Sequence, residues 1–264
     1  MKSPSRSENL GSSLPAEAVA PALSDFVFGG YVITRPITTA EFAHLETFDD
    51  QLVTASDCLA VFLPDAWTLS WTHEAKSRDR SLAAFGINPV QLDKLVPLVD
   101  DLFNRKRLLW ARFMSDWEAV EAVLEAAKPS SACRVLGLGI HADLVSGFIE
   151  DAGELQDPES TLVGLLSKRL LVPEGGSPLG FEILGFEAGC TSAHSWLCNL
   201  QRQVAERHGV HPELNGLLSH YQVAKQWADE ITREQLAEPV LWLPWLVVEY
   251  PAPSRQHGTQ EKNR

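Results

Sequence analysis

Cys190, His194 and Cys198 stand four residues apart, a spacing that carries side chains towards one side of a helix. Two thiols and an imidazole are three of the four donors a tetrahedral zinc site takes. The same residues offer nucleophilic chemistry, with a thiolate at Cys198 and His194 as its base one turn away. Both readings meet an obstacle. No fourth metal ligand lies at a familiar spacing, so His208, Glu187 or His141 would have to arrive through the fold. Gly189 and the Thr191-Ser192 pair start the expected helix after Cys190, which turns that thiol elsewhere. Catalytic cysteine and histidine more often come from separate elements that converge in space. The architectural reading needs no further group. His194 and Ser195 satisfy a helix start, Trp196 and Leu197 pack against neighbouring strands, and Cys198 fills a small space. Neither a metal nor a cofactor is expected. A thiol-dependent hydrolase or transferase using Cys198 and His194 stands as the alternative.

Other motifs are partial. Gly137-Leu138-Gly139 follows a strand-like run, but the third glycine of a dinucleotide loop is replaced by Ala142. The pair reads as structural glycines. No GxxxxGK[ST] segment supports a phosphate loop, and no GxSxG segment supports a nucleophile elbow. Trp67 and Trp71, beside His73 and Glu74, have the spacing of a groove lining. Most of the eight tryptophans belong in a core, and an exposed one would anchor a protein partner.

The elements that must position these residues follow from periodicity. Phe26 to Ile33 reads as a strand with a bulge, or two short strands, around Gly29-Gly30. Thr38 to about Asp49 has a helix start and a short apolar stripe. Cys58 to Leu63 is an apolar run ended by Pro64 and reads as a buried strand. Asn88-Pro89 opens a long helix with Pro97 inside it. Ser115 and Glu118 have the spacing of a capping box before a helix from Asp116 to Ala127. Arg134 to Ile140 reads as a strand followed by a helical pattern to Glu150. Asp157-Pro158-Glu159 reads as a helix start, with Leu162, Leu165, Leu166 and Leu170 continuing it. Gly180 to Glu187 is a strand, and Ala193, Leu197, Leu200 and Val204 form a helical stripe. A helix from Ser219 to Ile231 precedes the last strand, Val240 to Glu249, in which Pro244 marks an edge, bend or bulge. Helices and strands intersperse without strict alternation, which favours a single α+β domain over residues 25–250 with a central sheet packed by helices. Residues 1–24 and 251–264 read as disordered tails.

The 264-residue chain has a formal net charge of -13, which disfavours a nucleic-acid footprint. The run Arg105-Lys106-Arg107 reads as a solvated helix face. No apolar run has the length of a membrane span, and the polar N-terminus shows no secretory signal. A cytoplasmic protein is expected, with its four cysteines reduced. An acidic surface suits a basic protein partner. Glu150, Asp151, Glu154, Asp157 and Glu159 form the candidate contact.

The segment from Leu179 to Tyr250 resembles a group of bacterial proteins without assigned activity, some of them similar to immunity proteins, the cytoplasmic inhibitors of a bacterium's own toxins. The residues that carry the resemblance are Leu184-Gly185-Phe186, His194-Ser195-Trp196-Leu197-Cys198-Asn199, Leu241-Trp242-Leu243-Pro244-Trp245-Leu246 and Val248-Glu249-Tyr250. The resemblance implies a bacterial origin and binding in preference to catalysis. The leading expectation is therefore a protein-binding module of the toxin-neutralising kind.

Overall fold

Phe26–Thr34 (β1) is buried along its whole length, so both faces of the sheet that holds it must be covered. A computed structural model describes residues 22–35, 37, 45, 48, 52–64, 82–110, 112–187, 192–198, 200, 209 and 211–252. Within them the other strands are Phe62–Leu63 (β2), Arg134–His141 (β3), Ser177–Phe186 (β4), Ala193–Ser195 (β5) and Trp242–Tyr250 (β6). They form one antiparallel sheet in the order β2-β1-β3-β6-β4-β5. The α-helices are Pro89–Asn104 (α1), Trp117–Ala127 (α2), Val145–Ala152 (α3), Leu162–Ser167 (α4) and Tyr221–Glu234 (α5). The chain is a single mixed α+β domain.

Strand alternation sends successive side chains to opposite faces. Phe26, Phe28, Tyr31 and Ile33 join Leu95, Val99, Val120, Val123, Ala224 and Trp227 of α1, α2 and α5 in one core cluster. Val27 and Val32 join Val145, Phe148, Leu162 and Leu166 of α3 and α4 in the other. Trp242 and Trp245 fall in different clusters, because three positions along an extended strand is an odd step. Gly30 sits at the expected bulge of β1, with φ of 109°. Gly137 is flat against a ring: a Cβ there would lie 2.7 Å from Tyr250 Cε2. The glycines of β3 thus make room for packing.

Asn88 caps α1, accepting from the Gln91 amide at 3.1 Å while the Gln91 side chain accepts from the Asn88 amide at 2.7 Å. Pro97 does not end the helix. It lies on the exposed side, while Leu95, Val99 and Leu102 anchor the turns around it. The start of α2 differs from the expected capping box. Asp116 is the cap and accepts from the Ala119 amide at 2.9 Å, and Arg107 holds its carboxylate from outside.

Three expectations are corrected, and for Pro244 one of the alternatives is removed. Asp157-Pro158-Glu159 opens only the single 3-10 turn Pro158–Ser160; Thr161 then caps the short α4, and Leu170 is exposed. The Asp157 carboxylate is held by Lys106 and by Ser160 Oγ at 2.6 Å, which draws it away from capping a longer helix. Cys58 to Leu63 is a strand only at Phe62–Leu63, because residues 57–59 turn under an Ala60 amide to Ser56 carbonyl bond of 2.9 Å. Ala193 and His194 lie on a strand, not in a helix, and the helical turn after them is the 3-10 segment Trp196–Cys198. Pro244 is not on an edge strand, since β6 lies between β3 and β4. Its tolerance there is local: the β3 ladder stops at Ile140–Trp245, so beyond that point β6 keeps only β4 as neighbour.

Of the expected helix from Thr38 to Asp49, only Leu45 and Phe48 lie within the described residues, and both are buried. Most of each expected tail, and Trp67, Trp71, His73 and Glu74, lie outside the described residues. Among the described residues no helix is long and apolar enough to cross a membrane.

Candidate functional site

The site forms at the edge of the sheet, where β5 is the last strand. Gly185 pairs directly with His194 across the β4–β5 ladder. Glu187, two residues further on, is therefore the diagonal neighbour on the same face, a position within reach of long side chains. Its Oε1 lies 2.9 Å from His194 Nε2. The partner directly opposite His194 has no side chain, and Val240 and Trp242 occupy the space beside it. A Cβ on Gly185 would sit 2.4 Å from Val240 Cγ2.

The other nitrogen, Nδ1, faces a residue from elsewhere in the chain. Cys58 Sγ is 3.7 Å away. It is brought there by Asp57, which docks on the open side of β5. The Asp57 amide donates to the Ala193 carbonyl at 3.0 Å, and the Ala193 amide donates to Asp57 Oδ2 at 2.8 Å. One residue thus closes the outer hydrogen-bonding edge of a short edge strand. Arg112 forms an ion pair with the same carboxylate and lies over the Phe62 ring, 5.8 Å from its centroid. Burial pushes the Asp57 carboxyl up, against the opposing pull of Arg112 and the Ala193 amide.

Cys198 arrives from the 3-10 turn after β5 and neighbours Cys58. Its Sγ also lies 3.6 Å from Ser56 Oγ, and Ser56 Oγ accepts from the Cys58 amide at 3.2 Å. Behind Ser56 the chain of bonds continues inwards. The Ser56 amide donates to Thr54 Oγ1 at 3.0 Å, and the Thr54 hydroxyl donates to Glu182 Oε1. The Ala55 amide donates to Glu182 Oε2 at 2.9 Å. Glu182 is fully buried, and burial raises its carboxyl to about 7 despite bonds from Thr54, Ala55 and Ser195 that favour the anion. A buried carboxyl therefore anchors the turn that presents the exposed thiol.

The electrostatics separate the two thiols. The Cys198 hydrogen bond is the largest influence on Cys58; burial opposes it, and His194 and Ser56 reinforce it, so Cys58 falls to about 6. Cys198 moves the other way, pushed up by the neighbouring Cys58 sulfur and by burial. Burial alone would lower His194, but Glu187 and Cys58 outweigh it, and the imidazole is raised. At neutral pH the arrangement is a Cys58 thiolate facing His194, whose imidazole Glu187 and Cys58 bias towards its charged form, with Glu187 orienting the ring. A thiolate is the nucleophilic form of cysteine. A nucleophile, a proton carrier and an orienting acid in line can carry covalent group transfer.

The expected pairing of Cys198 with His194 is thus redistributed: the ring addresses Cys58, and Cys198 stands behind that thiol. Glu187 does reach His194 through the fold. His141 lies elsewhere, stacked on Tyr221 at 5.0 Å and accepting from the Asp143 amide. Cys190, Asn199 and His208 lie outside the described residues. Among the described residues no group of three His, Cys, Asp or Glu side chains is arranged to hold a metal ion.

Cys58 heads an apolar run, so in the sequence it reads as a strand residue and not as a site residue. The signal present was Ser56-Asp57, two turn-forming residues immediately before it.

Glu150, Asp151, Glu154, Asp157 and Glu159 are all exposed. Asp157 is engaged by Lys106. The remaining basic run is likewise paired within the chain, Arg105 with Asp101 and Arg107 with Asp116 and Glu118. No protein family, curated protein or solved structure matches this chain.

Proposed function

We propose that the protein is a thiol-dependent hydrolase or transferase in which Cys58 is the nucleophile, His194 the acid–base and Glu187 the residue that orients it. The observation that supports this most is the imidazole bridging Cys58 Sγ and Glu187 Oε1. In the reaction, Cys58 attacks an electrophilic carbon and displaces a leaving group that takes its proton from His194 Nδ1. The neutral imidazole then deprotonates water or an acceptor, which attacks the thioester and releases Cys58. The Cys58 amide is engaged by Ser56 Oγ, so it does not serve as the oxyanion donor. That favours activated esters and thioesters over unactivated peptide bonds, which need strong oxyanion stabilisation. A reduced nucleophile fits a reducing compartment such as the cytoplasm.

An activated ester tests the reading. With p-nitrophenyl acetate the expected result is a burst of nitrophenolate and a transient acetyl group that peptide mapping locates on Cys58. The Cys58→Ser variant gives no burst. An acetyl group on Cys198, or no acylation at all, overturns the assignment.

A second reading is a binding module for a basic protein, such as a toxin. It is supported by the exposure of Glu150, Asp151, Glu154 and Glu159, for which no ion pair is found among the described residues. Replacing all four by glutamine or asparagine is expected to abolish co-purification of a basic partner at low salt. A partner retained equally by the variant removes this reading.

A further inference from the structure

The geometry points to Cys58 and Cys198 as a dithiol–disulfide couple oxidised by hydroperoxides, a redox activity distinct from acyl transfer at the same sulfur. Three observations carry it. Cys58 is exposed, so a small oxidant reaches it. Cys198, on a different element, neighbours it, and each sulfur shifts the acidity of the other. Both cysteines share Ser56, whose Oγ accepts from the Cys58 amide and lies 3.6 Å from Cys198 Sγ. Two cysteines gathered around one hydroxyl need a side-chain rotation and a turn movement to reach the bond length of about 2.05 Å.

The chemistry balances in two steps. The Cys58 thiolate attacks the distal oxygen of a hydroperoxide and breaks the O–O bond. This gives a Cys58 sulfenic acid and, with one proton, an alcohol or water. The sulfur of Cys198 then attacks the sulfenic sulfur, and the hydroxyl leaves as water with the Cys198 proton. Cys58 is oxidised by two electrons in the first step, and the hydroperoxide is reduced by the same two. An external dithiol reverses the disulfide by exchange, becoming a disulfide itself.

The asymmetry of the pair suits this order. His194 faces the outer sulfur and Ser56 holds the Cys58 amide, while Cys198 is partly buried. The outer thiol meets the oxidant and the inner thiol resolves it before a second peroxide can drive the sulfur to the irreversible sulfinic acid. In the disulfide Cys58 has no thiolate, so oxidation also withdraws the proposed nucleophile. Re-reduction restores it.

The test uses the full reduced chain and one equivalent of hydrogen peroxide, followed by N-ethylmaleimide. The expected product has lost the mass of two hydrogens. Its Cys58 and Cys198 peptides are linked, Cys133 is alkylated, and dithiothreitol returns both thiols. In Cys198→Ser the sulfenic acid persists and dimedone captures it on Cys58. The inference is overturned if Cys58 stays reduced, if it reaches sulfinic acid with Cys198 still alkylated, or if it links to Cys133 or Cys190 instead. Failure here with acetylation of Cys58 intact removes only the redox couple. A Cys58 inert to both peroxide and ester removes the proposed function as well.

Discussion

Replacing Glu182 by glutamine is expected to abolish a fall in stability of about 3 kcal/mol that the native protein shows between about pH 4.5 and pH 7. Glu182 is fully buried on the sheet face where Thr54, Ala55 and Ser195 meet it, and its carboxyl lies near 7 against an ordinary value of 4.5. The folded state therefore holds this proton where the unfolded state has released it. Below pH 4.5 both states are protonated and the contribution is fully present. Between the two values the folded state binds more protons, so stability decreases as pH rises, and above about pH 7 the loss is complete. Glutamine has nearly the same shape, and its carbonyl can accept from the Ala55 amide. The expected measurement is urea unfolding of both proteins from pH 4.5 to 8. The variant gains on the native protein by about 3 kcal/mol across that range. A difference that stays constant with pH would show that this carboxyl does not titrate on folding.

At pH 6 Cys58 is expected to react with iodoacetamide about twenty times faster than a thiol of ordinary acidity. Two effects oppose each other. A thiol at about 6 is half ionised at that pH, whereas one at 9.0 is ionised to about one part in a thousand. The more acidic thiolate is intrinsically weaker, by roughly a factor of twenty at a Brønsted slope of about 0.45. Ionisation wins, and the advantage shrinks towards pH 8 as the ordinary thiol catches up. Both Cys198 and His194 contribute to holding the thiolate. His194→Ala and Cys198→Ala should each move the midpoint of the alkylation profile upwards by part of the difference, and the double variant by most of it. A native midpoint near 9, or one that His194→Ala leaves in place, contradicts the ion pair. Because alkylation needs no substrate, this outcome is independent of which ester or thioester the site accepts.

Both results concern one device. A buried carboxyl holds Thr54, Thr54 holds Ser56, and Ser56 holds the turn on which Cys58 stands. Asp57 and Arg112 fasten the same turn to β5 from the other side. Anchoring on both sides is what keeps Cys58 within reach of His194.

What the sequence determined by itself is the set of elements with strong periodicity. Asn88-Pro89 and the stripe Leu95, Val99, Leu102 specify α1, and the aromatic and β-branched residues around Gly29-Gly30 specify extended chain there, with the choice between one bulged strand and two short ones left to the fold. The odd spacing of Trp242 and Trp245 specifies opposite faces. These are local properties, set by side-chain direction along a helix or strand. The mixed α+β class follows from their number and order.

Only the tertiary structure decided which thiol meets the imidazole. Periodicity ranks residues by distance along the chain, and by that measure Cys198 is the neighbour of His194. Space reorders them, because His194 lies on an edge strand and its ring leaves the sheet on the side where the turn of Cys58 docks. That docking depends on an Asp57–Ala193 pairing across 136 residues and on Thr54–Glu182 across 128. Neither contact leaves a periodic trace, since each is made by one polar residue and specified by the shape of the partner surface. Glu187 lies between these cases: its diagonal relation to His194 becomes readable once Gly185 and His194 are known to pair.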